Sequence, residues 1–404
     1  MTSGKFDVLI VGAGLAGSTL ALALGGHNLR VGLIEAQSIS SLASVLPPPG
    51  LEGYDTRVSA ITPASQSIFE SLGVWATICA KRVSPYKTMQ VWDGEGSGEI
   101  DFHCSEISAG LLGHIVENGV MNTVLLESIR DRGGVELFSS VKLKSLEQKL
   151  DGSVSVKLED DSKLDTALLV AADGALSRVR ELADFRTREW DYGHRALVAT
   201  VQTENSPQQT ARQAFMTQGP LAFLPLSSVG GKHYCSVVWS AEPALSEELC
   251  KLGDSEFCER LERVFESRLG KIKGSSPRFA FPLRQRHAID YVKPGIALVA
   301  DAAHTIHPLA GQGINIGLQD VNVLADEILT AKARHQCVGA LSVLKRYQRR
   351  RKHDNLLMMA AMDSFKRLFE QQSLPLRWLR NTGMTGLSKL PALKKKIMRH
   401  AMGA

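Results

Sequence analysis

The sequence lacks the features that would place the protein in a membrane, in a disordered class or outside the cell. No stretch reaches the roughly 18 uncharged apolar residues that a membrane-spanning helix needs. The apolar run Val8–Val11 follows the charged Asp7 and is too short for a signal peptide, so we expect a cytoplasmic protein. Aromatic residues make up only 6%, but 44% hydrophobic and 22% charged residues are typical of globular proteins. A chain of 404 residues is expected to form two or three lobes.

The six cysteines lack the spacing of a metal or disulfide site. They are scattered, with no Cys-x-x-Cys pair and no paired Cys/His spacing, so we expect neither a metal site nor a disulfide framework. Positive charge is concentrated at one end. Residues 331–404 hold 17 lysines and arginines against 3 acidic residues, which gives +14, while residues 1–330 carry −9. Because no nucleic-acid recognition fold accompanies this charge, nucleic acid is not an expected partner.

The first 35 residues predict a strand, a tight turn, a helix and a second strand. Phe6–Val11 is a short apolar strand, Gly12, Gly14 and Gly17 form the turn, and Glu35 ends the second strand. In such a βαβ unit the first glycine permits the turn, the second lets the backbone approach a pyrophosphate, and the third allows close helix packing. The acidic residue would accept hydrogen bonds from ribose hydroxyls. The spacing predicts a dinucleotide site, although similar turns occur without a ligand and the pattern does not separate FAD from NAD.

The rest of the chain predicts a cofactor domain that is interrupted by an insertion. Apolar runs at 167–174 and 295–301 repeat the buried-strand pattern of the opening, whereas residues 190–282 alternate as an antiparallel sheet does. We therefore predict an α/β fold: a Rossmann-like cofactor domain, an inserted, mainly antiparallel β-sheet domain and a C-terminal helical region. The predicted limits are 1–73, 111–185 and 283–335 for the cofactor domain, 74–110 and 186–282 for the inserted sheet, and 336–404 for the basic helical region.

Three further segments resemble one enzyme family. They are Leu112–Asn118, Ala172–Arg180 and Ala300–Gly317. These segments resemble the class A flavoprotein aromatic hydroxylases, the family of p-hydroxybenzoate hydroxylase, and in particular the 2-polyprenylphenol hydroxylase branch of the ubiquinone-biosynthesis hydroxylases. The resemblance covers nearly the whole chain, from Asp7 to about Gly403. It implies that the Rossmann-like domain binds FAD and that the inserted sheet forms a substrate domain.

The resemblance also implies roles for individual residues. Asp301 lies where the family's aspartate binds the ribityl chain of FAD, and Asp173 with Gly174 matches the Asp-Gly motif near the pyrophosphate and the nicotinamide approach. Arg57 matches the arginine beside the flavin and is a catalytic candidate, with a surface ion pair as the alternative role. Ala300 departs from the family's glycine, and its methyl group is expected to be tolerated if φ is negative.

The segment from Pro308 to Gly317 is expected to contact the flavin ring. Small residues bring backbone next to a flat ligand, and a helix that begins near Gly313 would direct its positive end at the negative charge of reduced flavin. The resemblance places the Pro308 carbonyl toward the substrate hydroxyl. His304 is a further catalytic candidate, although we favour a role in fixing this loop over proton transfer. The predicted cofactor contacts of the segment are Gly311, Gln312, Gly313, Ile314 and Asn315.

The resemblance implies an oxygen-inserting reaction. NADPH or NADH would reduce FAD and would bind transiently, because the chain has a single dinucleotide fingerprint. Reaction of reduced FAD with O2 to a C4a-hydroperoxyflavin would then hydroxylate a polyprenylated phenol in ubiquinone biosynthesis. Two alternatives stay open. One is an FAD-dependent reductase of the geranylgeranyl-reductase kind, and the other is a non-catalytic assembly subunit that binds prenylated intermediates.

Two kinds of segment are candidates for contact with a prenylated substrate or its surroundings. The apolar segments Leu221–Leu226 and Phe279–Leu283 would line the substrate pocket or form ordinary core. From Leu390 to Arg399 the chain combines three consecutive lysines, Lys394–Lys396, with apolar residues. This basic amphipathic segment suits an anionic membrane surface or another ubiquinone-biosynthesis protein. A solvated charge run on a helix packed against the core is the alternative.

Overall fold

A computed structural model describes residues 5–42, 46–305, 313–370, 386 and 390–403 of the protein. The strands are β1 (Phe6–Val11), β2 (Val31–Glu35), β3 (Val58–Ile61), β4 (Ser84–Tyr86), β5 (Thr88–Asp93), β6 (Glu99–His103), β7 (Gly113–Glu117), β8 (Val135–Ser139), β9 (Leu143–Gln148), β10 (Val154–Leu158), β11 (Lys163–Ala171), β12 (Thr187–Thr203), β13 (Thr210–Phe215), β14 (Leu221–Pro225), β15 (His233–Ala241), β16 (Ile272–Ser275), β17 (Phe279–Ala288), β18 (Val292–Lys293), β19 (Ile296–Leu298) and β20 (His304–Thr305). The helices are α1 (Leu15–Leu24), α2 (Ile39–Leu42), α3 (Pro63–Ser71), α4 (Trp75–Lys81), α5 (Asn118–Arg132), α6 (Arg178–Leu182), α7 (Pro243–Lys251), α8 (Asp254–Val264), α9 (Gly313–Ala333), α10 (Leu341–Glu370) and α11 (Pro391–Ala401).

A mainly parallel sheet brings the predicted cofactor residues together. Strands β19, β11, β1, β2 and β8 lie side by side in that order and run parallel. Parallel strands end at the same edge of a sheet, where open α/β folds bind their ligands. Gly12 follows β1, Glu35 ends β2, Asp173 follows β11 and Asp301 follows β19. Four predicted cofactor positions therefore lie at the carboxyl ends of four adjacent strands.

A second, nine-stranded sheet is mainly antiparallel and has a core on each face. Its order is β20, β17, β12, β15, β14, β13, β5 and β6, with β16 beside β12. Alternate residues of a strand point to opposite faces. One face packs against α7 and α8 through residues such as Trp239 and Phe257. The other face packs through residues such as Leu224 and Tyr234 against Ile115 of a three-stranded sheet, β3–β7–β4. The second sheet thus faces the side of the three-stranded sheet.

This architecture confirms the predicted α/β fold class, with a Rossmann-like sheet and a mainly antiparallel sheet. The predicted domain limits stay predictions, and two elements of the structure cross them. Strand β17 continues past residue 282 to Ala288, and its last residues pair with β20. Within 74–110, β4 joins the three-stranded sheet while β5 and β6 join the second sheet. The two domains therefore share the strand pair that precedes the predicted flavin segment.

The C-terminal region is helical in the part of it that the structure describes. Helix α9 packs against α1 and α10, so α10 is anchored on the Rossmann-like domain. Helix α11 docks beside the short 3-10 helix Cys104–Ile107. None of the helices that the structure describes combines the length and apolarity needed to cross a membrane.

Candidate active site

The glycine turn after β1 makes backbone contacts that a side chain would prevent. Gly12 has a φ of +102°, and a Cβ atom there would lie 2.5 Å from the carbonyl oxygen of Ala172. A Cβ atom on Gly17 would lie 1.8 Å from the Gly12 carbonyl oxygen. By contrast, a Cβ atom on Gly14 would meet nothing within 4 Å, and Gly14 precedes α1 without a side-chain cap. The open space beside Gly14 and the uncapped N–H groups of α1 fit a pyrophosphate.

Glu35 connects the end of β2 to this turn. Its Oε2 atom accepts a hydrogen bond of 2.7 Å from the Ala13 N–H, and its Oε1 atom accepts one of 2.8 Å from the Gln37 N–H. Each carboxylate oxygen has a second lone pair that ribose hydroxyls can use. Binding of the ribose by Glu35 stays a prediction, and the position of its carboxylate beside the turn supports it.

One carboxylate oxygen of Asp173 accepts hydrogen bonds, and the other has no partner among the described residues. Its Oδ2 atom accepts hydrogen bonds from the Arg178 and Val179 N–H groups, at 2.7 and 3.1 Å, and so holds the start of α6. Its buried Oδ1 atom has no hydrogen-bond partner in the described residues. Burial raises the pKa of Asp173, while hydrogen bonds from Ser177 and the backbone lower it. A buried acceptor without a partner costs free energy, and a bound ligand with a donor group would remove that cost.

Asp301 and Arg57 interact electrostatically. The Asp301 side chain keeps open surface, yet desolvation raises its pKa, while His304 and Arg57 act in the opposite direction. This combination is typical of a group that lines a crevice. Arg57 is exposed, and no ion pair of its guanidinium is found in the described part of the chain. The surface ion pair considered from the sequence therefore has no support from described partners.

The backbone of Arg57 is fixed by a cluster of buried and half-buried charges. Its N–H donates to Asp55 Oδ1 at 3.0 Å, and Asp55 Oδ2 accepts from the Gly119 N–H at 2.8 Å. Glu117 accepts from the Asp55 N–H at 2.7 Å and from Arg82 Nη2 at 2.8 Å. The cluster holds the residue that precedes β3 while its guanidinium stays exposed.

His304 is held in the interior by Asp320 of α9. Its Nε2 atom lies 2.5 Å from Asp320 Oδ2, and both side chains are buried. The same carboxylate accepts from Arg351 Nε at 2.8 Å, from Asn355 Nδ2 at 3.1 Å and from the Ala300 N–H at 3.2 Å. Burial raises the pKa of Asp320, but the contacts with His304 and Arg351 outweigh burial and leave that pKa below its ordinary value. The geometry suits a role of His304 in fixing the loop, and its catalytic role stays a prediction.

The Asp320 cluster extends to the second sheet. Asn355 Nδ2 lies 3.4 Å from the Tyr291 hydroxyl, which lies 3.0 Å from His287 Nε2 on β17. Burial lowers the pKa of His287 to about 4, so this histidine is neutral at neutral pH. Arg180 adds a second connection at the same edge, because it donates to the carbonyl oxygens of Ala302 and Ala175 at 3.0 and 2.7 Å. These contacts fix the Asp173 and Asp301 segments relative to each other and to β17.

Comparison with known proteins shows which family the chain belongs to. The family described as FAD binding domain matches residues 5–360. The chain is 36% identical over 403 residues to the 3-demethoxyubiquinol 3-hydroxylase of Escherichia coli (strain K12), with all of both chains covered. The chain belongs to the FAD-binding monooxygenase family. This monooxygenase is also 32% identical over 448 residues to the mitochondrial ubiquinone biosynthesis monooxygenase COQ6 of Homo sapiens, with 99% and 93% covered.

Two solved structures share the fold of the monooxygenase. The p-nitrophenol 4-monooxygenase PnpA from Pseudomonas putida DLL-E4 superposes with a TM-score of 0.78 at 20% identity, and 100% of this chain and 99% of that chain are covered. PqsL of P. aeruginosa, in complex with 2-aminobenzoylacetate, gives a TM-score of 0.77 at 23% identity, with 95% and 100% covered. At these identities the similarity shows the fold alone.

Ala300 of the monooxygenase does not meet the condition under which its methyl group was expected to be tolerated. Its φ is +51°, in the left-handed region, so the condition of a negative φ is not met. The methyl group is accommodated because Gly317 of α9 has no side chain. A Cβ atom on Gly317 would lie 2.6 Å from the Ala300 Cβ. The alanine and the facing glycine therefore form a matched pair.

The predicted flavin segment is described only from Gly313, where α9 begins. Pro308, Gly311 and Gln312 lie outside the described residues, so their roles stay predictions. Beside Gly313 a Cβ atom would meet nothing within 4 Å. The Asn315 side chain is buried and connects α9 to β3, because it donates to the Ala60 carbonyl oxygen at 2.7 Å and accepts from the Thr62 N–H at 3.0 Å. Ile314 is partly buried against the main core.

Sequence reasoning missed the residues that hold the candidate active site in shape. Those with the most contacts are Asp320, Arg351, Asn355, Arg180 and Asp55. One signal was available: Asp320 is a single acidic residue in the mainly apolar first half of α9. A charged side chain at such a position needs a partner. The sequence does not reveal which partner, because the donors lie up to 35 residues away along the chain.

Proposed function

We propose that this monooxygenase hydroxylates the ring of a polyprenylated phenol in ubiquinone biosynthesis, with NADPH or NADH as electron donor and O2 as oxidant. The observation that carries the proposal is the carboxyl edge of the parallel sheet. There Gly14, Glu35, Asp173 and Asp301 combine open space, carboxylate oxygens and one buried oxygen without a described partner. The 36% identity to the E. coli hydroxylase over the full length of both chains supports the proposed substrate class.

Each part of the edge suits one part of FAD. The N-terminus of α1 and the space at Gly14 would hold the pyrophosphate, and Glu35 the ribose of the adenosine. Asp301 would bind the ribityl chain, and the N-terminus of α9 near Gly313 would stabilise negative charge on the pyrimidine edge of the ring. When bound, FAD supplies the redox chemistry that transfers one oxygen atom of O2 to the ring.

The chain's own residues contribute charge and position. The guanidinium of Arg57 opposes the desolvation of Asp301, which favours the ionised carboxylate that accepts hydroxyl hydrogen bonds. Arg57 would stand beside the flavin with its backbone fixed by Asp55. The Pro308 carbonyl would accept a hydrogen bond from the substrate hydroxyl and so orient the ring. Because the chain has a single dinucleotide fingerprint, NADPH or NADH would bind only during reduction.

An oxygen-labelling experiment tests this function. Purified protein reconstituted with FAD is given NADPH or NADH, isotopically labelled O2 and a prenylated phenol. We expect one labelled oxygen atom in the product. Anaerobic NADPH consumption that yields a product without new oxygen would favour a reductase instead. Protein that retains no flavin and cannot be reconstituted would favour the non-catalytic assembly subunit. The flavin content of the purified protein tests the role of Asp301. Asp301→Ala should lower flavin retention markedly, and unchanged flavin content would contradict the proposed contact with the ribityl chain.

We also propose that α11 brings the monooxygenase to an anionic membrane surface, where a prenylated substrate resides. The predicted basic segment has two different sides. Lys394 is 8% exposed and pairs with Glu106 at 2.7 Å, and Met398 is buried, so these two residues dock the helix rather than face solvent. The exposed residues of the segment include Leu390, Leu393, Lys395, Lys396, Ile397 and Arg399. An apolar stripe beside basic residues suits the boundary of an anionic bilayer.

A further inference from the structure

The exposed aromatic side chains that the structure describes lie in one place. Among the described phenylalanine, tryptophan and tyrosine side chains, the exposed ones are Trp190, Phe279 and Phe281, at 50%, 45% and 43%. All three belong to β12 and β17, which pair with each other in the second sheet. Large apolar side chains that are exposed together mark a binding surface more often than those scattered singly.

The three aromatic residues share one face of the sheet. Residues 279, 281, 283 and 285 of β17 alternate onto that face, and Trp190 is paired with Gln285 across the strands. Leu283 lies between them and is buried. We call Phe279, Phe281, Leu283 and Trp190 the aromatic stripe. Six residues along a strand span about 20 Å, so the stripe is long and narrow.

One end of the stripe reaches the candidate active site. His287 is on the same face of β17 and contacts the Tyr291 hydroxyl at 3.0 Å. There β17 pairs with β20 through His287 and His304, just before the predicted flavin segment. The opposite face of the sheet is covered by α7 and α8. The stripe therefore runs along the strand that borders the site and away from it, on the face turned toward the three-stranded sheet.

The edge of β17 is not suited to pairing with a second copy of the chain. In the described residues, β17 has no neighbour beyond β12 between Phe279 and Arg284. Pro282 and Arg284 are exposed on this stretch, and proline and charged residues discourage strand pairing at a sheet edge. Exposure of the aromatic side chains is thus better explained by a ligand that lies on the face of the strand.

We propose that the aromatic stripe binds the isoprenoid chain of the substrate. This inference rests on the proposed function, which requires a phenol with a long apolar tail. The ring would lie at the site, and the stripe offers the tail exposed aromatic side chains along a line that leads out from it. Contact with aromatic and aliphatic side chains selects for apolar length rather than for a particular hydrogen-bonding pattern.

A comparison of tail lengths tests the proposal. The variant Phe279→Ser/Phe281→Ser is compared with Leu150→Ser/Val229→Ser, which removes two exposed apolar side chains elsewhere. The measurement is the ratio of kcat/KM for a long-tailed phenol to kcat/KM for a phenol with one isoprene unit. We expect the ratio to fall about tenfold in the first variant, equivalent to about 1.4 kcal/mol, and to stay within twofold of the native ratio in the control. An unchanged ratio in the first variant, or an equal fall in both variants, would overturn the proposal.

Direct binding separates this proposal from the proposed function. A polyprenyl alcohol, which has no ring to hydroxylate, is titrated into the FAD-loaded protein while tryptophan fluorescence is recorded. We expect a saturable change that is lost in Trp190→Phe and weakened in Phe279→Ser/Phe281→Ser. If the native protein hydroxylates no phenol but shows this change, the stripe stands and the function fails. Absence of the change would overturn the stripe as a tail site. A lower oligomeric state in the stripe variant than in the native protein would also overturn it.

Discussion

At the residue scale, the glycines of the turn after β1 are required for different physical reasons. Gly17→Ala places a methyl group against the Gly12 carbonyl oxygen, whereas Gly14→Ala places one in open space. We therefore expect Gly17→Ala to lower the free energy of unfolding by about 1–3 kcal/mol, and Gly14→Ala to change it by less than about 0.5 kcal/mol. Gly14→Ala should nevertheless raise the dissociation constant of FAD by at least about tenfold, because its methyl group occupies the space proposed for the pyrophosphate.

Denaturation of the apoprotein and flavin-fluorescence titration measure the two effects separately. The comparison depends on the difference between the variants rather than on either value alone. If Gly14→Ala bound FAD as the native protein does, the pyrophosphate would not approach the backbone at Gly14. Such a result would leave the fold intact and remove the cofactor assignment of that residue.

The contact between Ala300 and Gly317 predicts that the effect of Gly317→Ala depends on the residue at position 300. Gly317→Ala in the native background should destabilise the protein by about 1–3 kcal/mol, because the two methyl groups would be 2.6 Å apart. In an Ala300→Gly background the same substitution should cost at least about 1 kcal/mol less, since residues in contact do not act additively. In that background Gly317→Ala gains further stability, because alanine is favoured over glycine in a helix. Thermal or urea unfolding of the four proteins measures the coupling, and additive effects would contradict the contact.

At the scale of elements, one carboxylate joins β20, α9, α10 and the short helix Ala300–Ala302. Asp320→Asn removes the charge that Arg351 and His304 face in the interior. We expect the free energy of unfolding to fall by about 3–5 kcal/mol, the usual cost of breaking a buried ion pair. Weaker FAD binding should accompany it, because Ala300 and Asp301 lose their anchor. The matched control is Asp326→Asn on the same helix, whose pair with Arg350 is exposed and worth about 1 kcal/mol or less. Equal losses in the two variants would contradict a buried charge at Asp320.

Local patterns were sufficient for the elements that surround the cofactor. The strand β1, the glycine turn and the end of β2 at Glu35 could be predicted because spacing within a few residues determines them. Parallel pairing then placed Asp173 and Asp301 at the same edge, as the repeated apolar runs indicated. The conformation of Ala300 could not be predicted, because it depends on the absence of a side chain on Gly317, in a different element.

At the scale of the whole molecule, contacts between distant segments decided what the sequence left open. Helical periodicity indicated that the C-terminal segment is amphipathic, but it did not indicate which side docks. Lys394 belongs to a run of three lysines, and only its contact with Glu106, 288 residues away, turns it inward. The segments Leu221–Leu226 and Phe279–Leu283 looked alike in the sequence. The first is buried core, while the second carries the exposed part of the aromatic stripe.

The docked orientation of α11 makes the membrane proposal testable without removing the helix. Deletion of 389–404 would expose the apolar surface that Met398 covers, so point variants on the outer side are more informative. Lys395→Glu/Lys396→Glu keeps the contact between Lys394 and Glu106. Lys232→Glu/Lys251→Glu makes the same change of charge at exposed lysines elsewhere.

Sedimentation with phosphatidylglycerol-containing vesicles measures the effect of reversing these two charges. A basic residue at an anionic surface contributes about 1 kcal/mol, so Lys395→Glu/Lys396→Glu should weaken binding by at least about tenfold, and the control variant should bind as the native protein does. Leu393→Ser/Ile397→Ser should weaken binding as well, because the apolar stripe would no longer enter the bilayer boundary. Equal binding of native protein to neutral and anionic vesicles, or unchanged binding of both α11 variants, would exclude α11 as the membrane contact. The exposed side of α11 would then be explained by a protein partner or by an ordinary solvated helix surface.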